Sequence, residues 1–352
     1  MFTRSQTHPV FLGSSKVQLG GGAPVLIQSM LNCPAHDFAA NLKQAKALEQ
    51  QGCEVIRVSV PDKQTVPLIE KLKQTVSVPI VADIHFDYRL ALESVAAGVD
   101  KIRINPGNIG DNSRIKAVAD ACRAKNIPIR IGVNSGSVEK GILQKYGGPT
   151  PQALVESGLY HSRLLEQFDF ENIVLSLKAS DVPTMYQAYR LAAEQCRYPL
   201  HLGVTEAGTA HMGTVKSAVG IGGLLLCGLG DTIRVSLTDD PVKEVAAARD
   251  ILKAAGLRTG GIRFVSCPTC GRTSINLIAL AQKAEQLLAG CNKNLTVAIM
   301  GCVVNGPGEA KEADLGIAGG KGEGLLFKKG KIIKKLPEAE LLPALLQEIE
   351  KL

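Results

Sequence analysis

The sequence has no tryptophan, and only 4% of its residues are aromatic. Proteins that bind single-stranded nucleic acid stack its bases on aromatic side chains, so this scarcity argues against a nucleic-acid partner despite a net charge of +7. No apolar run is long enough to cross a membrane, and the first residues lack the apolar segment of a signal peptide. We therefore expect a cytoplasmic protein, without nucleic acid or membrane, that binds an acidic substrate or partner.

Histidine is missing after His211, and the nine cysteines are odd in number. An odd set of scattered thiols in a cytoplasmic protein argues against a disulfide framework. Five of the cysteines fall within apparent helices and strands, where we expect small buried side chains: Cys33, Cys53, Cys122, Cys196 and Cys227.

The remaining thiols suggest a metal or cluster site near the end of the chain. Cys267 and Cys270 have CxxC spacing, and Cys302 lies in a glycine-rich loop that ends at Glu309. An iron–sulfur cluster with three cysteines and one weaker ligand would use every part of this pattern. Zinc would need Cys291 or Glu309 as a fourth ligand, and a dithiol redox pair would leave Cys302 without a role. CxxC spacing alone leaves these alternatives open.

Before these thiols, a short β-rich segment followed by a helical pattern repeats eight times. This number of units in about 250 residues predicts a (β/α)₈ TIM barrel rather than a doubly wound open sheet, which usually has fewer units. Glycines near residue 260 predict a boundary between a barrel domain, 1–258, and a smaller α/β domain, 259–352. We expect the barrel strands at 25–28, 55–58, 80–83, 101–104, 129–132, 173–177, 200–204 and 232–236.

Each predicted strand ends in polar residues, which in a barrel meet at one rim. Five of them are cations, and arginine pairs match the geometry of phosphate, so we expect a diphosphate-like anion there. Asp83, His85 and Glu206 are the acid–base candidates at this rim. The other candidate residues are Gln28, Arg57, Arg103, Asn105, Arg130, Asn134, Ser176, Lys178, Thr205, Arg234 and Ser236.

The smaller domain should contain a strand before each thiol loop, a helix between them, a further strand, a basic hairpin at 325–336 and a last helix. The basic run 328–335 is most simply a solvated hairpin, although an acidic redox partner could use it.

Taken together, these motifs resemble one family over the whole chain: the iron–sulfur hydroxymethylbutenyl diphosphate synthases of the methylerythritol phosphate route to isoprenoids. The most specific parts are Cys267-Pro-Thr-Cys270, the run from Met300 to Glu309, and Val81-Ala-Asp83-Ile-His85. The resemblance implies a [4Fe–4S] cluster on Cys267, Cys270, Cys302 and Glu309, which would exclude Cys291 as a ligand.

The resemblance also implies the reaction and the partners. The substrate would be 2-C-methyl-D-erythritol 2,4-cyclodiphosphate, opened reductively to 4-hydroxy-3-methylbut-2-enyl diphosphate with electrons from flavodoxin or ferredoxin. Asp83, His85 and Glu206 would lie near the carbon skeleton, and a head-to-tail homodimer would share each site between two chains. The diphosphate would be bound by Arg57, Arg103, Arg130, Asn134, Lys178, Arg234 and Ser236.

Two other classes of protein compete with this interpretation. One is a zinc-containing nucleic-acid binder, which would not need a rim of arginines. The other is a non-redox TIM-barrel synthase that binds pterin and phosphate and has a zinc-stabilised appended domain; Asp83 and Asn105 would suit it. Neither explains the Cys302 loop followed by Glu309.

Overall fold

The computed structural model describes residues 3–303, 308 and 310–352, and it divides into two units, Met1–Arg258 and Thr259–Leu352. In the part of the chain that is described, no helix combines the length and the apolar character needed to cross a bilayer. Each unit has its own apolar core.

The first unit is built on an eight-stranded parallel sheet that closes into a near-complete barrel. Its hydrogen-bonded order is β8-β7-β6-β5-β4-β3-β10-β9, and a parallel bridge between Leu175 and Leu200 joins the two ends. This closure confirms the predicted barrel and excludes an open sheet. The last two strands are shorter than expected. The strands are β3 (Leu26–Met30), β4 (Val55–Ser59), β5 (Ile80–Asp83), β6 (Lys101–Ile104), β7 (Ile129–Asn134), β8 (Ile173–Lys178), β9 (His201–Leu202) and β10 (Thr232–Ile233).

Helices follow the strands and form the outer layer. Several begin at a residue that accepts a hydrogen bond from the first turn, such as Asp37 and Asp181, which satisfies a free backbone N–H. A π-helical turn, Ala218–Gly222, joins the helix Ala210–Ser217 to the helix Gly223–Leu226. The helices are α1 (Phe38–Gln50), α2 (Pro67–Thr75), α3 (Tyr88–Ala96), α4 (Pro106–Ile109), α5 (Asn112–Ala124), α6 (Lys140–Tyr146), α7 (Pro151–Glu166), α8 (Val182–Gln195), α9 (Ala210–Ser217), α10 (Gly223–Leu226) and α11 (Pro241–Ala254).

An antiparallel hairpin covers the amino-terminal end of the barrel. Strand β1 (Val10–Leu12) pairs with β2 (Val17–Leu19). Its apolar side chains form a buried cluster with the first inward residues of three barrel strands, Val55, Val81 and Val174. The hairpin thus closes this end, so the opposite end, where the strands finish, is the one available to a ligand.

The second unit is a five-stranded mixed sheet with order β11-β12-β13-β14-β15, in which the first three strands are parallel and the rest antiparallel. The elements are β11 (Ile262–Ser266), α12 (Leu277–Leu288), β12 (Leu295–Met300), β13 (Leu315–Gly319), β14 (Glu323–Lys328), β15 (Lys331–Pro337) and α13 (Glu338–Glu350).

The two helices of this unit contribute to one apolar cluster with Val297, Ile299 and Leu326 of the sheet. Because side chains alternate along a strand, the neighbouring residues point to the other side. There Ala298, Met300 and Phe327 form a second buried cluster, against which Cys267 packs. The helices therefore cover one face of the sheet, whereas Cys267, directly after β11, packs against the buried clusters of both faces.

Candidate active site

A cavity of about 130 Å³ opens at the carboxyl ends of the barrel strands. Nine of the ten barrel residues predicted to bind or act on the substrate line it: Arg57, Asp83, His85, Arg103, Arg130, Asn134, Lys178, Arg234 and Ser236. The remaining lining residues are Gly132, Ser176 and Thr205. The geometry thus brings together the rim that strand ends alone suggested.

Two glycines, Gly132 on β7 and Gly203 directly after β9, make room for the long cations. A Cβ atom at Gly132 would lie 2.7 Å from Nε of Arg103, and one at Gly203 would lie 2.6 Å from Nζ of Lys178. Any side chain at these positions would collide with a cation that lines the cavity. The absence of a side chain there is therefore part of how the site is built.

Asp83 is the carboxylate at the centre of this arrangement. Arg103 donates to its Oδ1 at 3.0 Å, and Nε2 of His85 lies 3.2 Å from Oδ2. Nε of Arg57 lies 3.8 Å from the same Oδ2. Burial opposes ionisation of Asp83, but Arg57, the His85 hydrogen bond and Arg103 outweigh it and lower the pKa of the carboxyl below its usual range. Asp83 is therefore an anion that holds three neighbours in place.

A second carboxylate, Glu244 on α11, contacts one of the cavity cations from the helix that follows β10. It lies 3.4 Å from the Arg234 guanidinium, and it also accepts hydrogen bonds from Ser29 Oγ at 2.9 Å and from the backbone N–H of Leu237 at 3.1 Å. The sequence analysis did not identify this residue. The sequence signal that could have identified it is an acidic residue in the first turn of the helix that follows β10.

The cations outnumber these two carboxylates. Burial, and after it the charges of Arg57 and Arg103, push the pKa of Arg130 well below its ordinary value. Burial, and after it the positive charges of Arg130 and Arg234, also lower the pKa of Lys178 well below its ordinary value. Because a guanidinium does not lose its proton in proteins, the repulsion is best relieved by a bound anion.

Buried donors without partners point to the same conclusion. Among the described residues, Nε and Nη1 of Arg130 and Nε of Arg103 are buried with no acceptor. Leaving charged donors unpaired in the interior is costly. A diphosphate, which offers several oxygens to several guanidinium forks, would satisfy them.

The barrel interior holds further buried polar groups that sequence reasoning missed. Lys101 and His201 are buried, and their pKa values are lowered well below the ordinary range, by burial first and then by the charge of Arg130. Both lie in β-strand sequence that contains no obvious site motif. Their inward direction follows only from the strand register.

Glu206 behaves differently from the other predicted residues. It is exposed and has a left-handed backbone, with φ of 52°, immediately after the cavity residue Thr205. It is not among the residues that line the cavity. Glu206 therefore stands at the edge of the site in this structure.

The loops after β6 and β7 contact each other. Asn105 accepts a hydrogen bond from the backbone N–H of Gly107 at 3.2 Å, and its amide lies 3.4 Å from the carbonyl of Ser137. Ser137 in turn accepts from the backbone N–H of Asn134 at 3.0 Å. This bonding fixes the loop that brings Asn134 to the cavity.

Larger cavities lie in the outer helical layer. One of about 710 Å³ lies between α6, α7 and α8, and one of about 700 Å³ lies against α10 and α11. In the first, Lys145 is already paired with Glu156 at 2.5 Å. The second is lined mainly by small apolar residues. Neither gathers charges of one sign, so we assign the functional site to the smaller barrel cavity.

In the second unit, the two thiol loops leave adjacent strands at the same edge. Strands β11 and β12 are parallel neighbours, with Ser266 opposite Ile299, so Cys267 and Gly301 both follow strand ends. The N–H of Gly301 donates to the sulfur of Cys267 at 3.2 Å. The pKa of the Cys270 thiol is lowered, chiefly because the backbone N–H of Arg272 donates a hydrogen bond to its sulfur. Slight burial opposes this shift, and a hydrogen bond with the Thr273 side chain adds to it. N–H···S contacts of this kind are usual around thiolates that hold iron–sulfur clusters.

Three thiols of this unit are available to a multinuclear cluster. Within the residues that are described, no three His, Cys, Asp or Glu side chains converge on one point as a mononuclear site requires. Thiolates of a cluster bind different iron atoms and need not converge in this way. Cys267, Cys270 and Cys302 are free thiols, as is Cys291. The fourth predicted ligand, Glu309, lies outside the described residues.

The fold and the two sites together define a class: a TIM-barrel enzyme whose cationic mouth suits a small phosphorylated substrate, with an appended thiol-bearing unit. Residues 7–249 match the model of the GcpE TIM-barrel domain, and residues 263–351 match that of the GcpE protein C-terminal domain. The chain belongs to the GcpE family.

Curated relatives agree with this assignment. A protein of Caldanaerobacter subterraneus subsp. tengcongensis is 56% identical over 99% of this chain and 98% of its own length, and one of Clostridium perfringens is 55% identical over 99% of each. Both are named 4-hydroxy-3-methylbut-2-en-1-yl diphosphate synthase (flavodoxin). The family resemblance noted from the motifs is confirmed.

Solved structures of a different enzyme share the barrel. The dihydropteroate synthase of Yersinia pestis superposes with a TM-score of 0.51 at 17% identity, over 71% of this chain and 99% of its own. At this identity the likeness shows the fold alone. The alternative of a non-redox pterin or phosphate synthase is not supported, because the relatives that match at more than half identity have another name.

Proposed function

We propose that this protein catalyses the reductive ring opening of 2-C-methyl-D-erythritol 2,4-cyclodiphosphate to 4-hydroxy-3-methylbut-2-enyl diphosphate, with flavodoxin as the electron donor. The observation that carries the proposal is the convergence of five cations, with buried unpaired donors, on one cavity. The names of the relatives support the same reaction. The conversion takes up two electrons and two protons and releases one oxygen atom as water.

The barrel residues would bind the cyclic diphosphate through its oxygens. Arg57, Arg103, Arg130, Lys178 and Arg234 supply the positive charge, and Asn134 and Ser236 supply neutral hydrogen bonds. Ring opening leaves a diphosphate oxygen with more negative charge than it had in the ring. Fixed cations around that oxygen stabilise the product side of the step without rearrangement.

The acid–base residues have different roles. Asp83 has a lowered pKa and stays ionised near neutral pH, so it orients Arg57, Arg103 and His85 rather than giving up a proton. His85, about half exposed, is the candidate that can donate a proton from a ring nitrogen to the departing oxygen. Glu206, at the edge of the cavity, is the candidate that would donate the second proton to the departing hydroxyl group, which leaves as water.

We further propose that Cys267, Cys270, Cys302 and Glu309 hold a [4Fe–4S] cluster, which supplies single-electron transfer and Lewis acidity when bound. A carboxylate is a harder and weaker partner for thiolate-supported iron than a fourth cysteine. Glu309 would therefore be the ligand that can give up its place to substrate.

The chain would act as a homodimer in which each site is shared. Arg258 at the end of the barrel unit is bound to Glu54 at 2.7 Å, and β11 begins at Ile262. Three residues separate these anchored points, so the linker has little reach of its own. We propose that the cluster unit of one chain completes the barrel site of its partner. The cytoplasm, where thiols stay reduced, suits the nine free cysteines.

A complementation experiment tests the shared site. Arg130→Ala removes a barrel cation, and Cys267→Ala removes a cluster ligand; each variant alone should be inactive. Verified heterodimers of the two should regain about a quarter to a half of the wild-type activity, because one of their two composite sites is intact. Heterodimers without activity would contradict a site built from two chains.

The reaction itself is tested by anaerobic turnover. Cluster-loaded protein, the cyclodiphosphate and reduced flavodoxin should yield hydroxymethylbutenyl diphosphate, identified by mass, with two electrons consumed per product. A protein that binds the cyclodiphosphate but leaves it unchanged under either flavodoxin or a strong chemical reductant would refute the proposal.

A further inference from the structure

One histidine outside the cavity belongs to the hydrogen-bonding network of the loops around it. Nε2 of His161 on α7 is hydrogen-bonded to Oε1 of Glu139, the residue before α6. The His161 side chain is 2% exposed, and that of Glu139 is 29% exposed. Burial opposes ionisation of Glu139, but hydrogen bonds, chiefly that with His161, outweigh it and lower the pKa of the carboxyl. Because a carboxylate only accepts hydrogen bonds, Nε2 of His161 carries the proton.

Gly107, in the loop after β6, packs directly on this pair. A Cβ atom on Gly107 would lie 3.2 Å from Oε1 of Glu139 and 3.4 Å from Nε2 of His161. A side chain at this position would press on both partners, and glycine avoids that contact. The pair therefore joins three segments of the chain: the loop after β6, the start of α6, and α7.

The same network continues to a residue that lines the cavity. Glu139 lies two residues after Ser137, whose hydroxyl is hydrogen-bonded to the backbone N–H and to the carbonyl of Asn134, at 3.0 Å each. Asn105 connects the two loops, because it accepts from the N–H of Gly107 at 3.2 Å and donates to the carbonyl of Ser137 at 3.4 Å. The His161–Glu139 pair is therefore linked to Asn134, which lines the cavity.

Attachment of α7 to the barrel does not depend on this pair. The helix packs buried leucines such as Leu154 and Leu165 into the barrel core, and Glu166 at its end is hydrogen-bonded to the hydroxyl of Tyr198. The loop after β7 has less to hold it, because residues 135–137 are Ser-Gly-Ser and carry no apolar side chain. A segment with few apolar contacts opens easily, so the position of this loop depends on the hydrogen bonds around it.

We propose that His161 is a positioning residue for substrate binding: through Glu139 it fixes the loop after β7 and thereby holds the amide of Asn134 against the diphosphate. This inference rests on the proposed function. His161 itself is not one of the described residues that line the cavity, so it acts only through the loop. The Asn134 amide is neutral and would contact the diphosphate in both the substrate and the transition state. A loosened loop should therefore weaken binding more than it slows the chemical step.

Two substitutions at His161 test the assignment. His161→Phe keeps a ring of similar size but removes the donor to Glu139, whereas His161→Gln keeps an amide N–H near the position of Nε2. In His161→Phe, KM for the cyclodiphosphate should rise about tenfold, with kcat within about threefold of wild type. In His161→Gln, KM should rise less than about threefold, because the donor is retained. Equal KM values for wild type and His161→Phe would overturn the proposal.

Tyr198→Phe is the matched control. It removes a hydrogen bond to a carboxylate of the same helix, that of Glu166 at its other end. The Tm should fall about as much as in His161→Phe, and KM should stay within about twofold of wild type. An equal rise of KM in both variants would show that any damage to α7 weakens binding, and it would overturn the specific role of His161.

A double-mutant cycle identifies the group through which His161 acts. Asn134→Ala alone should raise KM, because it removes the amide. In that background His161→Phe should raise KM less than about twofold further, since the group that it positions is gone. Full additivity of the two effects would mean that His161 acts through another group, and it would overturn the proposal.

Direct binding separates this inference from the proposed function. All variants are assayed as cluster-loaded full chains with a small chemical reductant, and their affinity for the cyclodiphosphate is also measured by calorimetry. If wild type binds the cyclodiphosphate but does not convert it, the proposed function fails, and an affinity about tenfold weaker in His161→Phe would still support the positioning role. If wild type converts it and His161→Phe matches wild type in KM and affinity, only the positioning role fails.

A second variant keeps the test valid if His161→Phe does not fold. Gly107→Ala removes no hydrogen-bonding group, but its methyl group would lie 3.2 Å from Oε1 of Glu139, so the pair must shift by a few tenths of an ångström. KM should rise about two- to fivefold, with a Tm close to that of wild type. An unchanged KM in a folded Gly107→Ala protein would overturn the proposal.

Discussion

Gly203→Ala is the most direct probe of how the cavity is built, because it adds one methyl group beside one cation. The new Cβ would lie 2.6 Å from Nζ of Lys178, 3.0 Å from its Cε and 2.9 Å from the carbonyl oxygen of Arg234. Ordinary non-bonded contact needs about 3.5 Å, so the Lys178 amine must move by about 1 Å. Gly203 is not among the glycines with positive φ, so its own backbone conformation is compatible with alanine.

The expected cost follows from this displacement. Moving a binding group by about 1 Å in a preorganised site can reduce catalysis about 100-fold, and overpacking at a buried strand costs about 1–3 kcal/mol of folding free energy. We therefore expect kcat/KM for the cyclodiphosphate to fall about 100-fold in Gly203→Ala. Pyrophosphate, measured by calorimetry, should also bind more weakly.

Two comparisons make the result interpretable. Gly141→Ala on α6 is the matched control, since its Cβ would have no neighbour within 4 Å, and its activity should be unchanged. In a Lys178→Ala background, Gly203→Ala should reduce kcat/KM by less than it does alone, because the amine that it displaces is gone and only the 2.9 Å approach to the Arg234 carbonyl oxygen remains. A folded Gly203→Ala protein with wild-type KM and pyrophosphate affinity would show that Lys178 is not part of the anion site.

Three further predictions concern the carboxylates. Asp83→Asn should lower the free energy of unfolding at pH 7 by about 3–5 kcal/mol, because it leaves buried cations without a counterion, and added pyrophosphate should restore part of it in urea melts. The pKa of Asp83 is lowered in the folded state, so its ionised carboxylate stabilises the fold fully above the unfolded pKa of about 3.9 and progressively less as the pH falls below that value. The variant lacks this carboxylate and should therefore lose less stability than wild type between pH 5 and pH 3. Glu244→Gln should raise KM about tenfold with little change in kcat, since Arg234 loses its partner; a selective fall in kcat would contradict a positioning role. Glu309→Cys should retain iron and sulfide but lose most turnover, and a fully active variant would rule out an exchangeable ligand.

The alternation of β-rich and helical segments was enough to predict the barrel, and the polar residues at the strand ends were enough to predict most of its rim. Arg57, Arg103 and Arg130 sit at inward positions because each strand alternates its side chains, and a closed barrel brings those positions together. The cavity residues could therefore be selected without any knowledge of loop geometry. The same reasoning placed both thiol loops at strand ends, which the parallel pairing of β11 and β12 reproduces.

Other features depend on contacts that a sequence pattern does not contain. Glu244 reaches the cation cluster from a helix, and its role follows from a bend of the chain after β10. Glu206 has a left-handed backbone, which turns it away from the position that a simple strand end predicts. Strand β1, Val10–Leu12, was missed because three residues are too few to show a period, and it is stabilised by packing on Val55 and Val81.

The surroundings of the basic run 328–335 also required the structure. Its charge alone suits a solvated hairpin, as the sequence suggested. The exposed isoleucines between the lysines, and the packing of Phe327 toward Cys267, appear only when the strand pairing is known. The strand register decides which side chains share a face, and its irregularity between Leu326 and Phe327 could not be predicted from the sequence pattern.

In the proposed function, the three cysteines of the second unit hold a cluster that serves the cationic barrel. The most direct test is the content of iron, zinc and acid-labile sulfide in protein purified without oxygen, together with its visible spectrum. We predict about four iron and four sulfide per chain, no zinc, and a brown colour bleached by a strong reductant, with iron, sulfide and colour all lost in Cys267→Ala. One zinc without sulfide, after anaerobic reconstitution, would contradict it.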